Sequence, residues 1–265
     1  MAGRYAGAGC GLDKKVIMSQ KISIITGAST GIGYALAQRL AASGHSVLAI
    51  ARRQSALEAL RHSSSLIEVC SADISSEPDQ KAIVQAVNGR PVEYLIHNAG
   101  VIEPIGPLLD QPAAAIRKNL DINVQAPLAL SAAIWPYFID QARIMHISSG
   151  AAHRALPGWG AYCMSKAALF MAYEVLKAEL IDRTVAIGSL RPGVVDTPMQ
   201  DLIRGQSEKD FPPVESFRAL KEQGQLTSPS EVAQFIEAVL EKPSAREFSA
   251  QEWDIREHWE AMCAQ

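Results

Sequence analysis

Tyr162 and Lys166 stand four residues apart in the stretch YCMSK. At about 100° and 1.5 Å per residue, that spacing sets two side chains on one helical face, roughly one turn apart. A phenol ordinarily titrates near ~10, too high for easy exchange at neutral pH. A neighbouring ammonium favours the phenolate and lowers that value, so the pair is an acid/base group suited to a carbonyl or an alcohol. Ser149 lies thirteen residues earlier, at the close of the apolar run RIMHISS. The intervening loop can fold back and set its hydroxyl beside the phenol, where it would bond and orient a substrate oxygen; Ser148 is the rival for that role. A tyrosine and a lysine at this spacing are common on helices that do no chemistry, so the rest of the chain must supply a place for a reacting molecule.

That place is predicted from TGASTGIG, Thr26 to Gly33, between the first strand pattern and the first helical one. Gly27, Gly31 and Gly33 permit a tight turn and close approach of backbone to a ligand. The helix that follows presents free N–H groups and the positive end of its dipole, which suit a pyrophosphate. The second strand ends in AIARRQ. An acidic residue there would hold the ribose hydroxyls of NAD. Arg52 and Arg53 stand there instead, and a guanidinium suits a 2′-phosphate by charge and bidentate geometry. NADP(H) is therefore favoured over NAD(H), with Arg52 the stronger partner because it lies closer to the strand.

The elements that must position these groups alternate along the chain. ISIIT, SVLAIA, LIEVCS, VEYLIHN, RIMHIS and VAIGSL read as six apolar strands, separated by helical patterns. One of these is a long helical stretch from about Pro112 to Phe138, and another runs from Tyr162 through Ile181. Near-continuous apolar strands joined by helices imply a doubly wound parallel sheet covered on both faces, a three-layer αβα sandwich. Ligands are expected at the carboxyl ends of its strands. The segment 198–226 is polar, contains Pro212 and Pro213, and reads as an excursion over the top of the sheet with two short helices. SEVAQFIEAVLEKP predicts a helix capped by Ser230, and EFSAQEWDIREHW a final strand. No boundary divides residues 21–265, which read as one domain. Residues 1–20 are Gly/Ala-rich and lie ahead of the first strand; Met18 would serve as a natural start, leaving the first 17 as an appendage.

Of the 265 residues 48% are hydrophobic and 20% charged, with a net charge of −3, so a sizeable core is expected and a broad basic nucleic-acid footprint is not. Cys10, Cys70, Cys163 and Cys263 are scattered without metal-ligand or disulfide spacing, which predicts reduced thiols in a cytoplasmic protein and no metal. No apolar run is long enough for a bilayer and the N-terminus lacks a signal-like h-region, so no membrane partner is expected.

Taken in order, TGASTGIG, ADI, HNAG, DIN, ISS, YCMSK and RPGVVDT resemble a short-chain dehydrogenase/reductase from Lys21 to the last helix. The resemblance implies a Rossmann-like fold and a set of roles. Ser29, Thr30 and Ile32 join the three glycines at the cofactor phosphates. Asp73 and Ile74 would touch the adenine, and Asn98, Ala99 and Gly100 the adenosine ribose. Asn123 would bend its helix and hold a water joined to Lys166, which also bonds the nicotinamide ribose. Pro192, Gly193, Val195 and Thr197 would border the nicotinamide. Thr30 stands where many NADPH-preferring members carry a basic residue, so the NADP preference rests on the arginines. The tail is similar to the branch containing sepiapterin reductase and bacterial benzil reductase.

The expected reaction is hydride transfer between NADPH and a ketone, a diketone or pterin-type carbonyl. Ser149 would bind the carbonyl oxygen, Tyr162 protonate it, Lys166 hold the phenol acidic and Asn123 relay a proton. His153, Leu156, Trp159 and Met199 are predicted as pocket wall and Asp254 as an anchor for a polar heterocycle. A non-catalytic dinucleotide sensor is the alternative on the same fold, disfavoured because all the catalytic groups are present. The apolar residues of the helix carrying Tyr162, including Leu169, Phe170, Met171, Tyr173 and Leu176, predict a homodimer.

Overall fold

The computed structural model describes residues 20–264; the expected extension, Met18 and Cys10 therefore lie outside the described residues. Alternation along each strand sorts side chains to the two faces of the sheet. In β1 (Ile22–Thr26), Ile25 joins one buried cluster while Ile22 and Ile24 join another. In β2 (Ser46–Ala51), Val47, Ala49 and Ala51 go with Ile25, and Leu48 and Ile50 with Ile22. Both faces thus need cover, and helices supply it. On the Ile25 face lie α1 (Gly31–Ala42), α2 (Gln54–Arg61) and α9 (Pro229–Glu241), through Leu36, Leu40, Leu57, Val232, Phe235 and Ile236. On the other lie α3 (Glu77–Val87) and α5 (Ala126–Ile134), through Ile83, Val87, Leu130 and Ile134. Each such side chain, once fully buried, contributes about 1.5–3 kcal/mol.

With β3 (Ile67–Ser71), β4 (Val92–His97), β5 (Phe138–Ile147), β6 (Ala186–Arg191) and β7 (Glu252–Asp254), the seven strands form one parallel sheet in the order β3-β2-β1-β4-β5-β6-β7. The chain winds outward from β1 to β3, then returns to lay β4 against the other side of β1. Connections leaving β1 and β4 therefore part in opposite directions, which opens a crevice at their carboxyl ends. This is a Rossmann-like doubly wound sheet.

Three sequence expectations need correction. The stretch 112–138 is not one helix: α4 (Ala113–Leu120) gives way to a π-helical turn over Asp121–Gln125 before α5. Helix α9 is capped by Ser228, not Ser230; the Ser228 hydroxyl accepts from Glu231 N while the Glu231 carboxylate accepts from Ser228 N. That reciprocal box needs serine and glutamate three apart, with Pro229 at the first helical position. The tail expected as a strand holds only three strand residues, between α10 (Ala245–Ala250) and α11 (Ile255–Cys263).

Helix α6 (Gly160–Glu179) covers the outer sheet through Tyr173 and Leu169 and carries YCMSK in its first two turns. The excursion contains α7 (Pro198–Arg204) and α8 (Val214–Glu222). It closes over its own small core of Ile102, Trp159, Ile203, Phe211, Val214 and Phe217.

Candidate active site

The Gly-rich turn is tied to the end of β4. Thr26 Oγ1 accepts from Asn98 N and Ala99 N at 3.1 Å each, and Asn98 Nδ2 donates to Thr26 O at 2.9 Å and Gly27 O at 3.2 Å. Side chains are excluded here by contact. A Cβ at Gly27 would lie 2.7 Å from Ala99 Cα, and one at Gly33 would lie 2.5 Å from Asn98 Nδ2 and 2.6 Å from Gly27 O. Gly33 therefore packs the turn and does not line the cavity, whereas Gly27, Ser29, Thr30, Gly31 and Ile32 do.

That cavity encloses about 640 Å³. From the turn it passes Arg52, Arg53, Asp73 and Ile74, then Asn98, Ala99 and Gly100, and on the opposite wall Pro192, Gly193, Val195 and Thr197. Arg53 Nη2 donates to Ser29 Oγ and Thr30 Oγ1, both at 3.2 Å, so this guanidinium reaches back over the turn. Arg52 lines the cavity without that contact. Burial presses the Asp73 carboxyl upward, but hydrogen bonds from Ser75 outweigh it and hold the group below its ordinary value. A dinucleotide fits these residues: a helix N-terminus with glycine-only approach, cations near the second strand, and an unbroken path to Tyr162.

At the other end Tyr162 and Lys166 are 7% and 6% exposed, on the same face of α6. Lys166 Nζ donates to Ile147 O at 2.7 Å and lies 5.7 Å from the centre of the Tyr162 ring. Ser149 lies two residues beyond β5, and its hydroxyl accepts from Ala151 N at 3.1 Å. The direction of the Tyr162 shift is opposite to the one inferred from spacing. Burial pushes the phenol up to about 12, with only the Ser149 hydroxyl working against it. Burial also brings Lys166 down to about 8. Removing each group from water disfavours its charged form.

Asn123 occupies the π-helical turn and sits behind the cavity wall. Its Oδ1 accepts from Val101 N at 2.9 Å, and its Nδ2 donates to Val101 O at 2.8 Å and Ser165 Oγ at 2.9 Å. It binds the backbone after Gly100 to the helix that carries Tyr162. The wider turn lets the side chain leave the helix without breaking it.

Leu156, Trp159 and Met199 line the cavity and cluster with Tyr162. His153 does not: it pairs with Glu252 at 2.6 Å and packs edge-on against Phe170 at 4.5 Å. Nor does Asp254. It is 0% exposed, caps α11, and is paired to Arg256 at 2.5 Å and Arg191 at 3.3 Å. Its charge is already met by those guanidiniums. Sequence reasoning missed Arg154, Arg256, Gln200 and Phe217, all on the cavity wall. No local motif marks them, because they come from a loop, the C-terminal helix and the excursion.

A family model described as short chain dehydrogenase matches residues 21–208. The benzil reductase ((S)-benzoin forming) of Bacillus subtilis is 32% identical over 229 residues, covering 84% of this chain and 94% of that protein. The protein of the same description from Bacillus cereus is 34% identical over 235 residues, covering 82% and 93%. A Saccharomyces cerevisiae short chain dehydrogenase/reductase structure superposes with a TM-score of 0.80 at 27% identity, covering 89% of this chain and 96% of that one.

Proposed function

The chain belongs to the short chain dehydrogenase family, which makes it an NAD(P)-dependent oxidoreductase, and on that premise we propose that it reduces ketones with NADPH, aromatic and vicinal diketones foremost. One observation carries the reading. Burial holds Tyr162 protonated, with Ser149 beside it, at the end of a cavity walled by Trp159, Leu156 and Met199. A phenol there can give a proton to a substrate oxygen in reduction and take it back in the reverse reaction. The two relatives named for benzil, an aromatic vicinal diketone, support the substrate class. The pterin alternative loses its anchor with the burial of Asp254.

Bound at this site, nicotinamide supplies the hydride. Ser149 donates to the carbonyl oxygen and fixes its place. Tyr162 Oη gives its proton to that oxygen as negative charge develops. Lys166, when charged, favours the resulting phenolate and so eases the proton's departure. Asn123 holds Val101 and Ser165 so that the HNAG loop and α6 keep their spacing. Replacement of the lost proton through Asn123 and Lys166 is part of the proposal. Arg53, and Arg52 beside it, would receive the 2′-phosphate.

We place the enzyme in the cytoplasm as a homodimer. Met164, Met171 and Val175 on α6 are exposed, as are Leu128 on α5 and Trp135 just beyond it, and both helices flank the same sheet face. No described helix is long and apolar enough to cross a membrane.

The test is oxidation of NADPH and of NADH with an aromatic diketone, in the wild type and in Arg52→Asp/Arg53→Asp. The wild type should consume NADPH, and the double variant should lose NADPH efficiency at least ten times more than NADH efficiency. Equal losses with both cofactors would remove the 2′-phosphate assignment, and no turnover by the wild type would remove the reductase reading.

A further inference from the structure

Asn119 lies fully buried in the last turn of α4, four residues before Asn123. Neither amide lines the cavity, and nor does the buried Ser165 on α6. Hydrogen bonds running in one direction join the three. Asn119 Nδ2 donates to Glu103 O at 2.7 Å and to Val101 O at 3.1 Å. Asn119 Oδ1 accepts from Asn123 Nδ2 at 3.1 Å. Asn123 Nδ2 also donates to Ser165 Oγ at 2.9 Å, and the Ser165 hydroxyl donates to Tyr162 O at 2.9 Å. The chain therefore begins at Val101 and Glu103, which line the cavity, and ends on the main chain of the residue that carries the phenol.

A buried amide is costly unless its groups are met, and an apolar residue would fill the same space without that cost. Here the amide fixes a polarity. Turned over, Asn119 would set its oxygen against two carbonyl oxygens and its N–H groups against Asn123 Nδ2. Asn123 is thereby held with Oδ1 towards Val101 N and Nδ2 towards Ser165. The same oxygen stands close to the catalytic lysine: a Cβ at Gly100 would lie 3.3 Å from Asn123 Oδ1 and 3.8 Å from Lys166 Nζ. Fully met networks of this kind rigidify what they join. The nucleotide end has separate ties, Thr26 Oγ1 with Asn98 N and Ala99 N. Loosening the asparagine chain would therefore move the proton donor more than the cofactor.

We propose that Asn119 is a positioning residue for proton transfer. By locking the Asn123 amide it keeps the wall at Val101–Glu103 and the first turns of α6 at one spacing, so that Tyr162 Oη stays aligned with the substrate oxygen. The proposal rests on the carbonyl-reductase reading above and adds to it a residue that touches neither substrate nor cofactor. Proton transfer depends steeply on alignment, so a small displacement of the phenol slows that step while the hydride donor keeps its place.

The test measures benzil reduction by the wild type and by Asn119→Ala, with NADPH or NADPH deuterated at the transferred position, in H2O and in D2O. In Asn119→Ala, kcat per NADPH-binding site should fall about ten- to a hundredfold, with NADPH affinity within about twofold of wild type. The solvent isotope effect should rise and the effect of deuterated NADPH should shrink, because proton transfer becomes the slower step. A kcat within about twofold of wild type overturns the proposal. So does a lower kcat with both isotope effects unchanged, which would mark Asn119 as scaffold alone. Should Asn119→Ala lose NADPH binding, Ser165→Ala, which cuts the same chain next to Tyr162, is judged by the same criteria; loss of binding in both variants also overturns the proposal. Absence of turnover by the wild type is a different result and defeats the reductase reading itself.

Discussion

At the nucleotide end of the cavity, the turn after β1 is shaped by backbone contacts. Thr26, Gly27 and Gly33 meet Asn98 and Ala99 through hydrogen bonds and contacts too short for a Cβ. At the substrate end, Trp159, Phe211 and Phe217 form a stack of side chains gathered from two segments about fifty residues apart. The first region is fixed by strand ends that the main sheet already holds rigid. The second has a small core of its own, largely separate from the sheet's two faces. A backbone cradle recognises what every nicotinamide dinucleotide shares, whereas a side-chain wall can be exchanged residue by residue without disturbing the sheet. In the proposed reaction, chemistry falls between them, on Tyr162 and Ser149.

The sharpest way to test that division is to remove the group between the two ends. Tyr162→Phe should lower kcat for ketone reduction by about 10²- to 10⁴-fold while leaving NADPH binding intact by fluorescence titration; undiminished turnover would take the acid role from Tyr162. Next in size, Phe211→Ala empties a fully buried position and should cost about 3–5 kcal/mol at its own core. If the excursion is an independent unit, cofactor affinity should survive while kcat/KM for the ketone collapses; parallel loss of both would erase the distinction. Gly33→Ala probes the opposite end. Its new methyl would meet Asn98 Nδ2 and Gly27 O, at a cost of about 1–3 kcal/mol, and should weaken cofactor binding more than it changes the preference among ketones.

The smallest expected effect is on pH. Tyr162 stays protonated well beyond the neutral range, since burial raises its value to about 12. Lys166, lowered by burial to about 8, loses its charge first as pH rises. Reductase kcat should therefore be level through neutrality and decline through about pH 8, well before the phenol itself titrates. A flat profile well into alkaline pH would mean that the Lys166 charge does not support proton transfer.

Much of the fold was legible because each cue was local. Apolar runs of strand length, separated by helical spacing, announced the sheet, and β2 falls on SVLAIA as expected. The final strand is shorter than its apolar pattern implies because Phe248 and Trp253 are apolar for different reasons. One belongs to a short helix packed under β6, and the other to a three-residue strand. Ser230 opens the helical run, but the cap falls on Ser228, which stands three residues before Glu231 across Pro229. The Tyr162 shift runs opposite to the one spacing implies, because spacing shows that an ammonium is near but not that both groups are buried. Asp254 looked available for a ligand because Arg191 lies far away in sequence, and only folding sets the two at 3.3 Å.

The sequence by itself determined the order of strands and helices, the glycine-only turn and the pairing of Tyr162 with Lys166, since each depends on neighbours within a few residues. Tertiary structure decided which carboxylates were already neutralised, which polar atoms meet and how far burial moved each proton. Those properties are set by the distance to atoms elsewhere in the chain and by the exclusion of water, and neither is written in local spacing.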